Sequence, residues 1–148
     1  MATNKWQQII TAVLTRLRTI KTTAGYETNA GNYVFEWRAN PLEESEMPGI
    51  VVRDTFPEEV ISVGEHEHTL LIECFVFTSG ATATTQARQV ISDIVKAFGT
   101  DRYFGGLAED TQPAPGGGLG TDQANKMLAI AVKPFYVKYL TAPFNPNA

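Results

Sequence analysis

The chain has little of the chemistry on which many enzymes and disulfide-rich proteins depend. One cysteine and two histidines occur among its 148 residues. A single cysteine cannot form an intrachain disulfide, so we expect a fold that needs no oxidising compartment. Cys74 lies in an apolar stretch with no cation near it in sequence, which favours a buried structural thiol over a nucleophile.

Long apolar runs and clusters of basic residues are also absent from the sequence. No run approaches the roughly 18 apolar residues of a membrane span, and polar residues interrupt the N terminus where a secretory signal would lie. The net charge is −4, and residues 16–21 interleave basic side chains with the apolar stripe of a helix. We therefore expect a soluble chain, made in a reducing cytoplasm, that binds neither membranes nor specific nucleic-acid sequences.

The composition nevertheless suffices for one hydrophobic core. Hydrophobic residues make up 43% of the chain and include eight Phe, five Tyr and two Trp. Such a composition is not that of a disordered protein. No internal repeat or boundary divides the sequence, so residues 1–148 are predicted to form a single domain.

Two amphipathic helices are predicted from apolar residues at helical spacing. The first has its apolar stripe within residues 6–20 and begins at a cap provided by Asn4 or Thr3. The second has its stripe within residues 87–98 and ends near Gly99.

Alternating apolar residues predict the strands. They indicate strands at residues 33–38, 49–54, 65–77 and 127–140, with a weak additional strand at 60–63. The predicted fold is therefore α+β: a mostly antiparallel β-sheet with the two amphipathic helices packed on one face.

The strand at residues 65–77 is predicted to lie at the centre of the sheet. Its even-numbered residues from 70 to 76 point to one face and the odd-numbered residues 71–77 to the other. Glu73 on the second face is costly unless that face is partly wet or the charge is paired. Two arrangements remain open: this face contacts another subunit, or Glu73 pairs with a cross-strand Arg or Lys.

The C-terminal third contains a glycine-rich stretch and the last strand. Residues 105–125 lack periodicity and are predicted to form a flexible loop. Pro134 cannot donate a ladder hydrogen bond, which indicates an edge strand or a bulge with a shift of the apolar register. Residues 141–148 are predicted to form a tail.

His66 and His68 are the strongest candidates for site chemistry. Two histidines two residues apart on a strand point the same way, as a zinc or iron site requires. No third histidine exists, and Cys74 lies six residues further on. This pattern favours solvent-facing or interface residues over metal ligands.

Other motifs of catalysis are missing. The glycines at 116–120 lack the lysine of a phosphate-binding loop, carboxylates cluster in predicted loops, and no serine lies in a Gly-x-Ser-x-Gly turn. We therefore expect no catalytic residues, no cofactor and no metal, and a protein that is not an enzyme.

Four short motifs lie within the predicted elements or just before them: residues 25–31 (GYETNAG), 34–37 (VFEW), 47–52 (MPGIVV) and 64–70 (GEHEHTL). Together with the order of elements, they resemble the tail terminator proteins of long-tailed bacteriophages. This group includes the minor tail protein U of lambda-like phages. The resemblance extends over most of the chain.

The resemblance implies a structural role without catalytic residues. Such proteins form a ring, typically a homohexamer, on the head-proximal end of the tail tube, where they stop tube polymerisation. The expected partners are further copies of the chain, the tail tube protein and a head-completion or connector protein, with room for DNA to pass through the ring. The expected location is the virion, after assembly in the cytoplasm of the bacterial host.

Subunit or tube contacts are predicted where charge and aromatic residues would contribute little to a monomer. The candidate interface residues are Glu43, Glu44, Glu46, His66, His68, Leu71, Glu73 and Phe75. The alternatives are another head–tail connector or the tube protein, a cytoplasmic small-molecule-binding module with a pocket under the glycine-rich loop, and a metalloenzyme built on the two histidines.

Overall fold

The computed structural model describes residues 4–62, 64–122 and 127–147. These residues form two helices and one six-stranded sheet, so the predicted α+β class is confirmed. The helices are α1 (Lys5–Leu17) and α2 (Ala83–Gly99), and the strands are β1 (Val34–Glu36), β2 (Gly49–Ser62), β3 (Glu65–Ser79), β4 (Asp110–Pro113), β5 (Gly118–Asp122) and β6 (Leu128–Thr141).

The sheet is built around β3. Its strand order is β1-β2-β3-β6, with both β4 and β5 paired to the outer edge of β6. All pairs are antiparallel except β1 and β2, which are parallel. Because β3 has a partner along nearly its whole length on both sides, its predicted central position is confirmed.

One face of the sheet packs against both helices, as predicted. The even-numbered residues of β3 from Leu70 to Val76 are fully buried there, in one core with residues of α1 and α2. Asn4 begins α1, because its side-chain oxygen accepts a hydrogen bond from the backbone N–H of Gln7 at 2.7 Å. No helix of the described residues is long and apolar enough to cross a membrane.

The aspartate Asp93 is the buried charge of the helical layer. Its side chain, on α2, accepts hydrogen bonds from the backbone N–H groups of Glu27 and Thr28 and from the Thr28 hydroxyl, at 2.8–3.0 Å. Three donors compensate the carboxylate for the loss of water. They also fix the segment after α1 against α2.

The second strand differs from the prediction. Residues 49–54 and the weak strand at 60–62 belong to one strand, β2, which continues through a bulge between Thr55 and Glu58. The bulge adds one residue to β2 relative to β3 and reverses which side chains face the helices. Residue 63 of the predicted strand lies outside the described residues.

The last strand also differs from the prediction. β6 is neither an edge strand nor shifted in register, because its pairing with β3 runs without interruption from Leu128 to Thr141. Pro134 is accommodated because it lies between the segments of β6 that pair with β4 and with β5. The buried residues beside α2 are the small Ala129 and Ala131, so the apolar Ile130 faces the opposite side.

The glycine-rich stretch contains more structure than predicted. β4 and β5 both lie within residues 105–125, so the prediction of a loop without regular structure is wrong for these two segments. Residues 123–125 of the predicted loop lie outside the described residues. The alternation signal is weak here because all five residues of β5 are exposed.

The predicted tail begins with an ordered turn. Thr141 still belongs to β6, Ala142 pairs with Asn145, and the carbonyl of Pro146 accepts a hydrogen bond from the N–H of Lys5 at 2.9 Å. The turn therefore lies beside the first residues of α1. Together, this turn and the start of α1 close one end of the helical face.

Candidate functional site

A pocket of about 620 Å³ opens on the helical face, beyond the N-terminal end of α1. We call it the histidine pocket, because His66 and His68 on β3 line its floor together with Tyr139 and Thr141 on β6. Its walls come from the start of α1, the part of β2 after the bulge, and the turn at residues 144–146.

Aromatic rings form much of the pocket. The rings of Trp6 and Phe56 contact each other edge to face, with centroids 4.0 Å apart. His68 stacks on Tyr139 at 4.7 Å, and Phe144 lies edge-on to His66 at 5.4 Å. Phe144 is 93% exposed, so the turn presents a large apolar ring to solvent at the rim of the pocket.

Three ionisable side chains converge inside the pocket. The register of β2 and β3 places Glu59 opposite His68, and the Glu59 Oε1 atom lies 3.5 Å from His68 Nδ1 and 4.0 Å from His66 Nδ1. One donor atom from each residue lies within 4.8 Å of the other two. The Glu59 carboxylate is half exposed, whereas His66 is buried, with 7% of its surface exposed.

The neighbours of His68 restrict the orientation of its ring. Its Nε2 atom is 2.9 Å from the Thr141 hydroxyl oxygen, and its plane lies 20° from that of Tyr139. Burial, together with the charge of Glu59, raises the pKa of the Tyr139 phenol to about 12. Tyr139 is therefore a neutral platform at physiological pH.

The first predicted alternative, that the histidines face solvent, is wrong for His66, which is 7% exposed, and the second, that they are interface residues, stays a prediction. Both histidines are even-numbered, like the buried residues of β3, so they lie on the helical face, within the pocket. Glu59 was missing from the predicted site residues, because the bulge that turns it towards the histidines has no clear signature in the sequence. Pro57, within the irregular segment of β2, was the available hint.

The opposite face of the sheet, which we call the open face, carries the other group of predicted interface residues. Leu71, Glu73, Phe75 and Phe77 are all partly exposed there, in alternation with buried residues. Arg53 on β2 lies directly opposite Glu73. In the described part of the chain no ion pair joins them, because the Arg53 guanidinium lies over the Phe75 ring, 4.8 Å from its centroid.

The predicted acidic residues Glu43, Glu44 and Glu46 lie in a tight turn that leads into β2. Glu46 forms a bidentate ion pair with Arg38, with N–O distances of 2.6 and 2.7 Å. This hydrogen bonding lowers the pKa of the Glu46 carboxyl. Glu43 and Glu44 are exposed. The turn is thus held in place by Arg38 and by a capping box in which the Glu43 side chain accepts a backbone hydrogen bond.

The structure brings together some of the predicted site residues and separates others. His66 and His68 share the histidine pocket on the helical face, whereas Leu71, Glu73 and Phe75 share the open face. The acidic turn is at the start of β2, and Glu59 is near its far end. The candidate interface residues therefore belong to three separate surfaces.

Comparison with protein-family models and with curated proteins gives no match to this chain.

Proposed function

We propose that this chain is a structural assembly subunit of a bacteriophage tail: a tail terminator that forms a closed ring on the head-proximal end of the tail tube. The observation that carries the proposal is the open face, which displays aromatic and aliphatic side chains beside Glu73 and Arg53, two charges that form no ion pair with each other in the described part of the chain. The resemblance of four sequence motifs to tail terminators is the reason for proposing a phage tail as the assembly.

The open face has the composition of a subunit interface. Aromatic residues and arginine are enriched in protein interfaces, and an apolar centre with polar groups at its border is their usual anatomy. Phe75 lies between Val51 and Val132 on the neighbouring strands, and Leu71 lies beside Tyr136. These side chains form two apolar rows, one on each side of the row that contains Arg53, Glu73 and Pro134.

The state of Glu73 and Arg53 supports a neighbour on this face. The two residues are directly opposite each other on adjacent strands, where opposite charges usually attract. In this chain, however, the guanidinium packs against the Phe75 ring rather than the carboxylate. Each charge remains able to pair with a group of opposite sign on a second copy.

A closed ring requires two different surfaces that fit each other. The acidic turn is the second surface in this proposal, because Arg38 holds it rigid and Glu43 and Glu44 face solvent. A carboxylate of this turn is the expected partner of Arg53 on the next subunit. The tail tube protein and a head-completion protein would then bind the two sides of the ring.

The decisive experiment measures assembly directly. Mass photometry and negative-stain electron microscopy of the purified chain are expected to show closed rings, hexamers being the expected size. Filaments of unlimited length would instead indicate a tube protein. A strictly monomeric chain at all concentrations, with and without tail tubes, would contradict the proposal.

A charge reversal tests the open face. Glu73→Lys places a second cation beside Arg53, and the repulsion should shift the chain from rings towards monomers. Glu27→Lys is the matched control, because it makes the same charge change at an exposed position of the helical layer. An equal effect of the two variants, or an unchanged elution volume for Glu73→Lys, would show that the open face is not part of the subunit interface.

Small-molecule binding is the second candidate function, favoured by the volume and aromatic lining of the histidine pocket. The pocket does not lie under the glycine-rich stretch, as was expected for such a module, but near the opposite end of β6. A ligand of this pocket would leave assembly of the open face unchanged.

A further inference from the structure

We propose that Glu59, His66 and His68 form a binding site for one divalent transition-metal ion of the zinc class. This goes beyond the proposed assembly role, does not depend on it, and replaces the expectation from sequence that the chain binds no metal. The sequence supplied two ligands, and the fold supplies the third.

The positions of the donor atoms suit such an ion. In a tetrahedral zinc site with bonds of about 2.0–2.1 Å, two ligand atoms lie about 3.4 Å apart. The Glu59 Oε1 and His68 Nδ1 atoms are 3.5 Å apart, and Glu59 Oε1 and His66 Nδ1 are 4.0 Å apart. One donor atom of each residue lies within 4.8 Å of the other two, so side-chain rotations that close the remaining gap would let all three bind one ion.

The hydrogen bond to Thr141 prepares His68 as a ligand. When the imidazole carries its hydrogen on Nε2, the Thr141 hydroxyl oxygen, 2.9 Å away, accepts it. Nδ1, 3.5 Å from Glu59 Oε1, then carries the free lone pair of the ring. A hydrogen-bond acceptor that fixes the second ring nitrogen is the usual support of a metal-binding histidine.

Without a cation, this arrangement brings acceptors together. In that tautomer the Nδ1 lone pair and a carboxylate oxygen have no hydrogen to share, and either a cation or a water that donates to both atoms relieves the conflict; in the other tautomer, Nδ1–H donates towards Glu59 and the Thr141 hydroxyl donates to Nε2. A metal ion satisfies both groups together with His66. A proton on the imidazole is the competing solution, and it would produce a histidine–carboxylate ion pair.

The chemistry of the ligands selects the class of metal. Two imidazole nitrogens and one carboxylate oxygen suit zinc and its late first-row neighbours, whereas calcium and magnesium prefer oxygen ligands alone. Three protein ligands leave at least one coordination position open. That position faces the cavity of about 620 Å³, which has room for water or a small ligand.

The test is a zinc titration of the full-length chain prepared without a histidine tag and freed of metal by a chelator. Isothermal titration calorimetry should give one Zn²⁺ per chain. Co²⁺ should produce the visible absorption bands of a low-coordinate site. The chain has two histidines, so NMR should show both imidazole rings shifting together during the titration.

Variants assign the ligands. Glu59→Gln and His68→Asn should each weaken zinc binding at least 10-fold. Thr141→Val removes only the supporting hydrogen bond and should weaken it about 10- to 100-fold. Glu67→Gln is the matched control, because Glu67 lies on the same strand as the histidines but on the open face, and it should bind zinc like the parent chain.

Each result decides the question. No binding, less than half an ion per chain, or binding unchanged by both Glu59→Gln and Thr141→Val would overturn the site. These two variants keep the histidines, so they remain informative if His68→Asn fails to fold. A chain that binds zinc as a monomer supports the metal site and contradicts the ring, and a ring without zinc does the reverse.

Discussion

At the scale of single residues, the carboxylate of Asp93 joins the second helix to the segment that follows the first. It is 2% exposed and accepts three hydrogen bonds from residues 27 and 28. An asparagine has nearly the same shape, but its amide NH₂ group replaces one of the two accepting oxygens. The N–H or O–H group that donated to that oxygen then faces another donor. The resulting unsatisfied donor carries a desolvation cost.

Asp93→Asn should therefore lower the free energy of unfolding by about 2 kcal/mol, measured by urea denaturation monitored with circular dichroism. Ser92→Asn is the control, because it introduces the same side chain at the adjacent, exposed position of α2. A loss of similar size in both variants would show that the network around Asp93 contributes nothing specific.

The thiol of Cys74 should be unreactive in the folded chain. Its side chain is fully buried, and burial raises its pKa to about 12. At pH 8 the reactive thiolate is therefore scarce and inaccessible. We expect no reaction with an aromatic disulfide reagent in buffer and one thiol per chain in guanidinium chloride. Rapid labelling of the native chain would contradict the packing of β3.

The same burial makes stability depend on pH in the alkaline range. An unfolded cysteine ionises near 9.0, whereas folded Cys74 stays protonated until about 12. The folded state then binds more protons than the unfolded state between these values. The contribution of Cys74 is complete below pH 9.0 and is lost as the pH rises towards 12.

At the scale of elements, two adjacent glycines allow the steric fit of β5 to be tested. Gly116 and Gly117 both have positive φ, 96° and 98°. A Cβ atom on Gly117 would lie 2.5 Å from the carbonyl oxygen of Val132, whereas a Cβ on Gly116 would meet nothing within 4 Å. An alanine at either position would therefore suffer the same backbone strain, but only an alanine at 117 would also clash with β6.

Gly116→Ala should lower the free energy of unfolding by about 1 kcal/mol, through left-handed strain alone. Gly117→Ala should cost about 1–3 kcal/mol more, because it also displaces β6 or β5. Thermal and urea denaturation of the two variants measure the difference. Equal stabilities would show that β5 moves freely away from β6.

The elements also show which parts of the fold the sequence could predict. Both helices and the two faces of β3 were predictable, because long periodic patterns determine them. The pairing of β5 was not, because its residues are exposed and glycine-rich and carry no alternation. The buried set of β6 was misassigned because alanine under a helix is a weak signal beside Ile130 on the open face.

The site was predictable only in part, for a related reason. His66 and His68 were recognised from their spacing on one strand. Glu59 was not, since its position depends on a one-residue bulge and on pairing between strands. Long-range register of this kind follows from the packing of the whole sheet.

At the scale of the whole molecule, the sheet has one well-protected strand and weaker borders. β3 is hydrogen-bonded on both sides, whereas β5 has five exposed residues at the border. Backbone amides at exposed borders open more readily than those in the core. Native-state hydrogen exchange should therefore be slowest for residues 70–76 and fast for β5.

Mass spectrometry of peptides from the two strands measures this difference in the isolated chain. Assembly adds a second expectation: ring formation should slow exchange in the acidic turn and leave that of the histidine pocket unchanged. Protection of the pocket instead would place the subunit contact on the helical face.

The sequence that follows the bulge of β2 tolerates a one-residue shift of its pairing with β3. The four residues that follow Pro57 are a pair of glutamates and then a pair of β-branched aliphatic residues, Val60 and Ile61. Loss of the bulge without loss of a residue would slide the end of β2 by one position, bringing Glu58 opposite His68 and Val60 opposite His66, in place of Glu59 and Ile61. A one-residue slip there would thus exchange like for like, and the sequence encodes the pocket in two registers at once.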